Sequence, residues 1–438
     1  MNNDSKPGTG FNSLSGKQDP MVTVNTQPVK GMRDLVGKQA RLKKKIESTI
    51  AKYASRCGFE PMQVPVVENL ETLTIKGGGG EEAIKELFTL EDQSGRKLGL
   101  RFEFTTSLAR VIAGNPDLPK PIKALNMGTV YRYGNPQAMR YREFTQGDCD
   151  IIGVKDVTAE AELLALGIDV LNELNMKEFY FRLNDRRITN AMLLACDIRE
   201  EKTKEAMRSL DKLDKIGMEG VEKELRAKNI STTILSYLEK TLPQIKKELE
   251  KKNLDLSGVE ALEKIMETLK GQKKDSFLKF DPSLVRGLEY YTGPVWEIYG
   301  GVSVSVGSGG RYDNLIKSLG GPDVPAVGIS FGVDRLLDVL LETYTDPSVD
   351  VFVIPIGPTF NEAQNLTSAL RDEGLRVEID LMGRGIGKNL NYANAKQIPI
   401  VLFLGEDELK AKKTKLRDMV SGTEKMIALN PATAVAKE

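Results

Sequence analysis

Residues 198–274 are dominated by Lys, Glu, Leu and Met at helical spacing and nearly lack aromatic side chains, while strand signals stand on either side of them. This interruption constrains the fold more than any other feature. It reads as a helical insertion between two halves of one mixed α/β domain. Before it, residues 37–54 repeat apolar positions at helical spacing among Lys and Arg, and Pro61 and Pro65 mark an extended segment. Residues 86–90 and 97–104 read as strands joined by a turn at Asp92-Gln93-Ser94-Gly95, and 125–133 and 142–152 as a second pair. After it, strands are expected at 277–280, 295–299, 302–306 and 326–331, then a helix from Val333.

From Val349 the pattern alternates strand and helix: strands at 349–356, 377–380 and 398–404, helices at 361–373 and 388–396. That is the rhythm of a small α/β domain with a mostly parallel sheet. A chain of 438 residues suits such a division into two or three domains. The boundaries expected are 1–20 as a disordered tail or added leader, 21–345 as the main domain interrupted by 198–275, and 349–438 as the second domain.

Lys and Arg number 62, as do Asp and Glu, so nucleic acid would have to be met by local basic patches. Cys57, Cys149 and Cys196 form neither a zinc ligand set nor a disulfide framework, which fits a reducing cytoplasm. No apolar run approaches the length of a membrane span, and the N-terminus lacks a secretory pattern. Histidine is absent altogether, which excludes any mechanism that needs an imidazole side chain as base, nucleophile or metal ligand.

Four stretches can carry chemistry. In the first, Arg132, Arg140 and Arg142 sit on and beside a strand-loop-strand hairpin, where guanidinium forks suit triphosphate oxygens. A solvated hairpin pairing with carboxylates fits those residues equally well. In the second, Arg286-Gly287 precedes Tyr290 and Tyr291, a pocket lining or a Gly-bounded strand end with Tyr in the core. The third, Gly307-Ser308-Gly309-Gly310-Arg311-Tyr312-Asp313, is a Gly-rich loop that turns alone could explain. In the fourth, Arg335 stands in the first turn of a helix after a strand, opposed to the helix dipole, which suggests an anionic ligand or a carboxylate partner.

Together these stretches resemble class II aminoacyl-tRNA synthetases. The Arg132 hairpin, the strand-helix with Arg335 and the segment from Gly58 to Pro65 look like their three signature motifs. Residues 284–293 and 309–313 resemble the stretches that set histidyl-tRNA synthetases apart, and Gly31-Met32-Arg33-Asp34 resembles that family's opening motif. The resemblance runs from about Lys30 to Ile427. It implies an antiparallel-sheet catalytic domain with a helical insertion and a C-terminal α/β anticodon-binding domain, in a cytoplasmic homodimer. The implied reaction activates L-histidine with ATP and Mg²⁺ and transfers it to tRNA(His). By resemblance, Arg132, Arg140, Phe144 and Arg335 bind ATP, and Arg286 and Arg132 are catalytic. Glu103, Thr105, Gln146, Asp150, Arg286, Tyr290, Tyr291 and Tyr312 bind histidine. The implied dimer interface matches residues 59–68. Gly134 departs from the family, which usually carries an acidic residue two positions after the hairpin arginine. The alternative is a non-catalytic paralogue that regulates an ATP phosphoribosyltransferase.

Overall fold

The computed structural model describes residues 25–75, 85–285 and 290–429. The expected N-terminal tail lies outside the described residues. The helix Lys38–Arg56 forms as its spacing predicts. It buries Leu42, Ile46, Ile50 and Ala54 along one stripe and leaves its lysines toward solvent.

Strand β1 (Glu60–Pro61) leads to β2 (Val67–Asn69), β3 (Thr89–Glu91) and β4 (Lys97–Leu100). The last three form a small sheet in the order β2-β4-β3. Asp92 closes the β3–β4 turn by accepting from the backbone N–H of Ser94 and Arg96, both at 2.9 Å. These strands are shorter than expected. Glu86 to Phe88 precede β3, and beyond Leu100 the chain turns into an unexpected helix, Thr105–Gly114.

Strands β5 (Ile122–Tyr131) and β6 (Glu143–Ile152) are antiparallel. They join β7 (Phe179–Asp185), β8 (Leu278–Phe280), β9 (Pro294–Gly300), β10 (Gly307–Arg311) and β11 (Ala326–Gly332) in one sheet, ordered β1-β5-β6-β11-β10-β9-β7-β8. Only its edge pairs, β1 with β5 and β7 with β8, run parallel. Five α-helices, Arg186–Ala195, Glu200–Leu210, Leu213–Ala227, Leu242–Lys251 and Ser257–Gly271, lie between β7 and β8. The sheet closes across them because β7 pairs with β8 and β9 at residues remote in sequence.

The expected strand at 302–306 is not formed; the strand is β10, the stretch read as a Gly-rich loop. Apolar alternation misled there, because the chain takes its glycines to the sheet for close approach. A Cβ on Gly309 would meet the Gly328 carbonyl at 2.2 Å and the Trp296 ring at 2.6 Å.

Alternation along the strands separates two faces. Cys149 and Ile151 of β6, with Ile329 and Phe331 of β11, join a core built with the helices Lys38–Arg56 and Thr158–Glu173. Gln146, Asp148 and Asp150, with Gly328, Ser330 and Gly332, point the other way, and the site lies there.

Strands β12 (Val351–Pro355), β13 (Val377–Ile379), β14 (Ile400–Leu404), β15 (Lys413–Asp418) and β16 (Glu424–Ala428) form a second sheet, ordered β13-β12-β14-β15-β16. It is not mostly parallel: β12 is parallel to β13 and β14, but β15 and β16 add two antiparallel pairings. Among the described residues no helix is long and apolar enough to cross a membrane.

Candidate active site

The floor of the site is the open face of β6. Register places Asp150 between Ala124 and Gly328, Asp148 between Asn126 and Ser330, and Gln146 between Gly128 and Gly332. The flanking glycines leave room above the strand. At Gly328 the room is essential, because a Cβ there would lie 1.9 Å from Oδ1 of Asp150.

The Tyr312 hydroxyl donates to Asp150 Oδ1 at 2.6 Å, while Oδ2 of that buried carboxylate has no partner. Burial pushes the Asp150 carboxyl up to about 7; the Tyr312 hydrogen bond opposes this and the charge of Glu103 adds to it. Asp148 accepts from Ser330 Oγ at 2.5 Å. It is raised well above the usual carboxylate range, by burial first and then by the neighbouring charge of Asp150. The buried amide of Asn126 lacks a partner at both atoms, as does Gln146 Oε1, and of the two Gln146 lines the cavity, where a ligand can satisfy it.

Tyr312 is fixed by its neighbour. Buried Arg311 reaches across to Glu160 with a two-point ion pair of 2.6 and 2.7 Å. Tyr290 and Tyr291 pack edge to face with centroids 4.8 Å apart, and Tyr290 meets Tyr312 at 5.8 Å. Glu103 is held by the backbone N–H groups of Thr105 and, at 2.8 Å, Thr106, which open the helix Thr105–Gly114. The positive end of that helix favours its charge.

Arginines cluster farther along the cleft. Arg132 leaves β5 and lies over the Phe144 ring, 5.0 Å from its centroid. Burial, then the charge of Arg140, pulls its guanidinium down to about 10. Glu86 meets Arg140 Nη2 at 2.8 Å and Arg132 Nε at 3.5 Å. Arg335 donates to the carbonyls of Ser305 at 2.6 Å and Met139 at 3.1 Å. Behind them Arg33 ties the helix Val333–Leu340 to the hairpin. It bonds Asp334 at 2.9 Å, Asp338 at 2.7 Å and the Tyr141 hydroxyl at 2.7 Å, and lies 3.8 Å from the Tyr141 ring centroid.

One cavity of about 660 Å³ joins these groups. Glu103, Thr105, Gln146, Tyr290, Tyr291, Arg132, Arg140, Phe144 and Arg335 line it, and Asp150 and Tyr312 lie buried beneath. Arg286, with Gly287, Leu288 and Glu289, lies outside the described residues. Leu210, Asp211, Leu213, Asp214 and Lys215 of the interruption border the same cavity, where Asp214 pairs with Arg182 of β7 at 3.0 Å.

Sequence reasoning missed Asp148 and Glu86. The two-residue spacing of Gln146, Asp148 and Asp150 on a strand could have found the first. Nothing local marks Glu86, whose partners lie some fifty residues away.

The histidyl-tRNA synthetase family matches residues 31–336, and the anticodon-binding domain family matches residues 350–438. A histidine–tRNA ligase of Bacillus cereus is 38% identical over 416 residues, covering 92% of this chain and 95% of that protein. The crystal structure of histidyl-tRNA synthetase from Nostoc sp. PCC 7120 superposes with a TM-score of 0.84 at 27% identity, covering 94% of this chain and 99% of that one. A Bacillus halodurans structure titled ATP phosphoribosyltransferase regulatory subunit/histidyl-tRNA synthetase shares the fold, with a TM-score of 0.72 at 24% identity over 87% of this chain and 99% of that one.

Proposed function

The chain belongs to the histidyl-tRNA synthetase family, and from that premise we infer that it activates L-histidine with ATP and esterifies it to tRNA(His). One observation carries the reading at the level of the site: a single cleft joins a carboxylate-and-tyrosine end to an arginine end. The first suits the ammonium and imidazole of histidine, the second a triphosphate.

We assign the residues accordingly. Glu103, Thr105 and Gln146 receive the α-ammonium group. Asp150 accepts an imidazole N–H on its unpartnered Oδ2, with Tyr290, Tyr291 and Tyr312 around the ring. Arg132 and Arg286 hold the α-phosphate, Arg140 the far phosphates, and Phe144 with Arg335 the adenine. The histidine carboxylate attacks the α-phosphorus in line and pyrophosphate leaves. A carboxylate is already a nucleophile at neutral pH, so the absence of imidazole from the enzyme is no obstacle. Rate comes from alignment and from arginine charge facing the α-phosphoryl group. In the second step the terminal ribose hydroxyl of tRNA attacks the adenylate carbonyl, and the departing phosphate accepts the proton.

Among the described residues no three Asp, Glu, Cys or His side chains cluster to hold a metal. We propose that Mg²⁺, when bound with the nucleotide, would neutralise charge on the triphosphate beside Arg132 and Arg140. We also propose a cytoplasmic homodimer joined through 59–68, where Val66 and Val67 are exposed in the single chain. The proposed domains keep the expected bounds: 21–345 catalytic, with 198–275 inserted, and 349–438 reading the anticodon arm.

A regulatory paralogue would share the fold but has little use for an anticodon-binding domain, and residues 350–438 match one. Aminoacylation of tRNA(His) with labelled histidine tests the reading. Histidyl-tRNA formed by the purified chain supports it; well-folded protein that binds ATP and forms none favours the paralogue.

A further inference from the structure

Glu86 sits among the arginines assigned to the phosphates, yet it comes from a different segment of chain. Its carbonyl accepts from the Tyr133 N–H at 2.6 Å, and Phe88 packs edge-on against Tyr133 and Tyr131, at 5.1 and 6.4 Å. Backbone and aromatic contacts thus pin this segment to the hairpin. Its carboxylate touches Arg140 Nη2 at 2.8 Å and Arg132 at Nε, the inner edge of that guanidinium.

The carboxylate fills a particular space. A Cβ built on Gly134 would lie 2.8 Å from Glu86 Oε1. Gly134 is where the family's acidic side chain would stand. Here the position is empty of side chain, and an acidic group from elsewhere occupies it.

Electrostatics give that group a task. Arg132, Arg140 and Arg335 repel one another across the cradle, and burial weakens the solvent screening that would separate them. A carboxylate between Arg132 and Arg140 holds two like charges side by side before any phosphate arrives.

We propose that Glu86 is a positioning residue for ATP: it supplies from outside the hairpin the carboxylate that residue 134 lacks, and keeps Arg132 and Arg140 spaced to receive the triphosphate. The proposal rests on the assignment of those arginines to the phosphates.

Calorimetry with ATP and with adenosine, on wild type, Glu86→Gln, Gly134→Ala and Arg132→Ala, tests it. Glu86→Gln keeps the shape and removes the charge. Gly134→Ala leaves every partner intact but displaces the carboxylate, a flexible side-chain end that can move without unfolding the chain. Both are expected to weaken ATP about tenfold and leave adenosine within about twofold. Unchanged ATP affinity in Glu86→Gln, with loss in Arg132→Ala, overturns the inference alone. Tighter ATP binding in Glu86→Gln overturns it too, since the carboxylate would then be a competitor of the phosphates. Equal loss of adenosine would make Glu86 merely structural. Unchanged ATP binding in Arg132→Ala removes the phosphate assignment beneath it.

Discussion

The Tyr312 hydroxyl occupies one oxygen of the Asp150 carboxylate at 2.6 Å and leaves the other buried without a partner. A buried acceptor in that state is costly until a donor arrives, which is the condition for selecting a substrate by an N–H group. Asp150→Asn is therefore expected to raise the KM for histidine about 100-fold, the scale of a lost buried charged hydrogen bond, with little change in the KM for ATP. Steady-state pyrophosphate exchange with each substrate varied in turn measures the split.

Burial pushes the same carboxyl up to about 7 in the folded protein. Its acceptor role needs the ionised form, so histidine affinity should fall as pH drops below about 7 and level off above it. Calorimetric titration from about pH 6 to 8 checks this. Asp150→Asn removes the titration of that carboxyl and leaves those of Asp148 and of the ligand.

Stability should move the opposite way. A carboxyl raised in the folded state binds its proton more tightly than in the unfolded chain. The stability it contributes is complete below the unfolded value of 3.8 and is lost as pH rises through the folded value of about 7. At neutral pH the ionised Asp150 is thus a burden on the fold. Asp150→Asn is expected to raise the thermal midpoint by a few degrees at about pH 8, and by less at about pH 5.

Arg311 and Glu160 are both buried and matched at two points. Glu160→Ala leaves a buried guanidinium with carbonyl partners but without its main counter-charge, and should cost roughly 3–5 kcal/mol in denaturant unfolding. Because Tyr312 follows Arg311 directly, histidine affinity should fall with it.

Gly328→Ala places a Cβ on the Asp150 carboxylate. Relief requires breaking the Tyr312 hydrogen bond, so the KM for histidine should rise at least about tenfold while ATP binding is kept.

Much of the fold is legible in the sequence because period-3.6 and period-2 patterns are local. The helix Lys38–Arg56, the β5–β6 pair and the helices of the interruption all carry them. The rest is hidden for physical reasons. β10 is built of glycines chosen for close approach to Trp296, Tyr291 and Gly328, and glycine has no hydropathy pattern to read. β15 alternates buried Thr414 and Leu416 with Lys413, Lys415 and Arg417, so its charges conceal a strand. In the site, the arginine hairpin and the Asp150 strand are visible as motifs. Glu86 becomes meaningful only once the fold brings it to Arg132 and Arg140.

The most direct test of the account is ATP–pyrophosphate exchange by the purified chain with Mg²⁺, offering each standard amino acid singly. Exchange is expected with histidine alone, reduced by several orders of magnitude in Arg286→Ala. Exchange driven by another amino acid, or by none from folded protein, would contradict it.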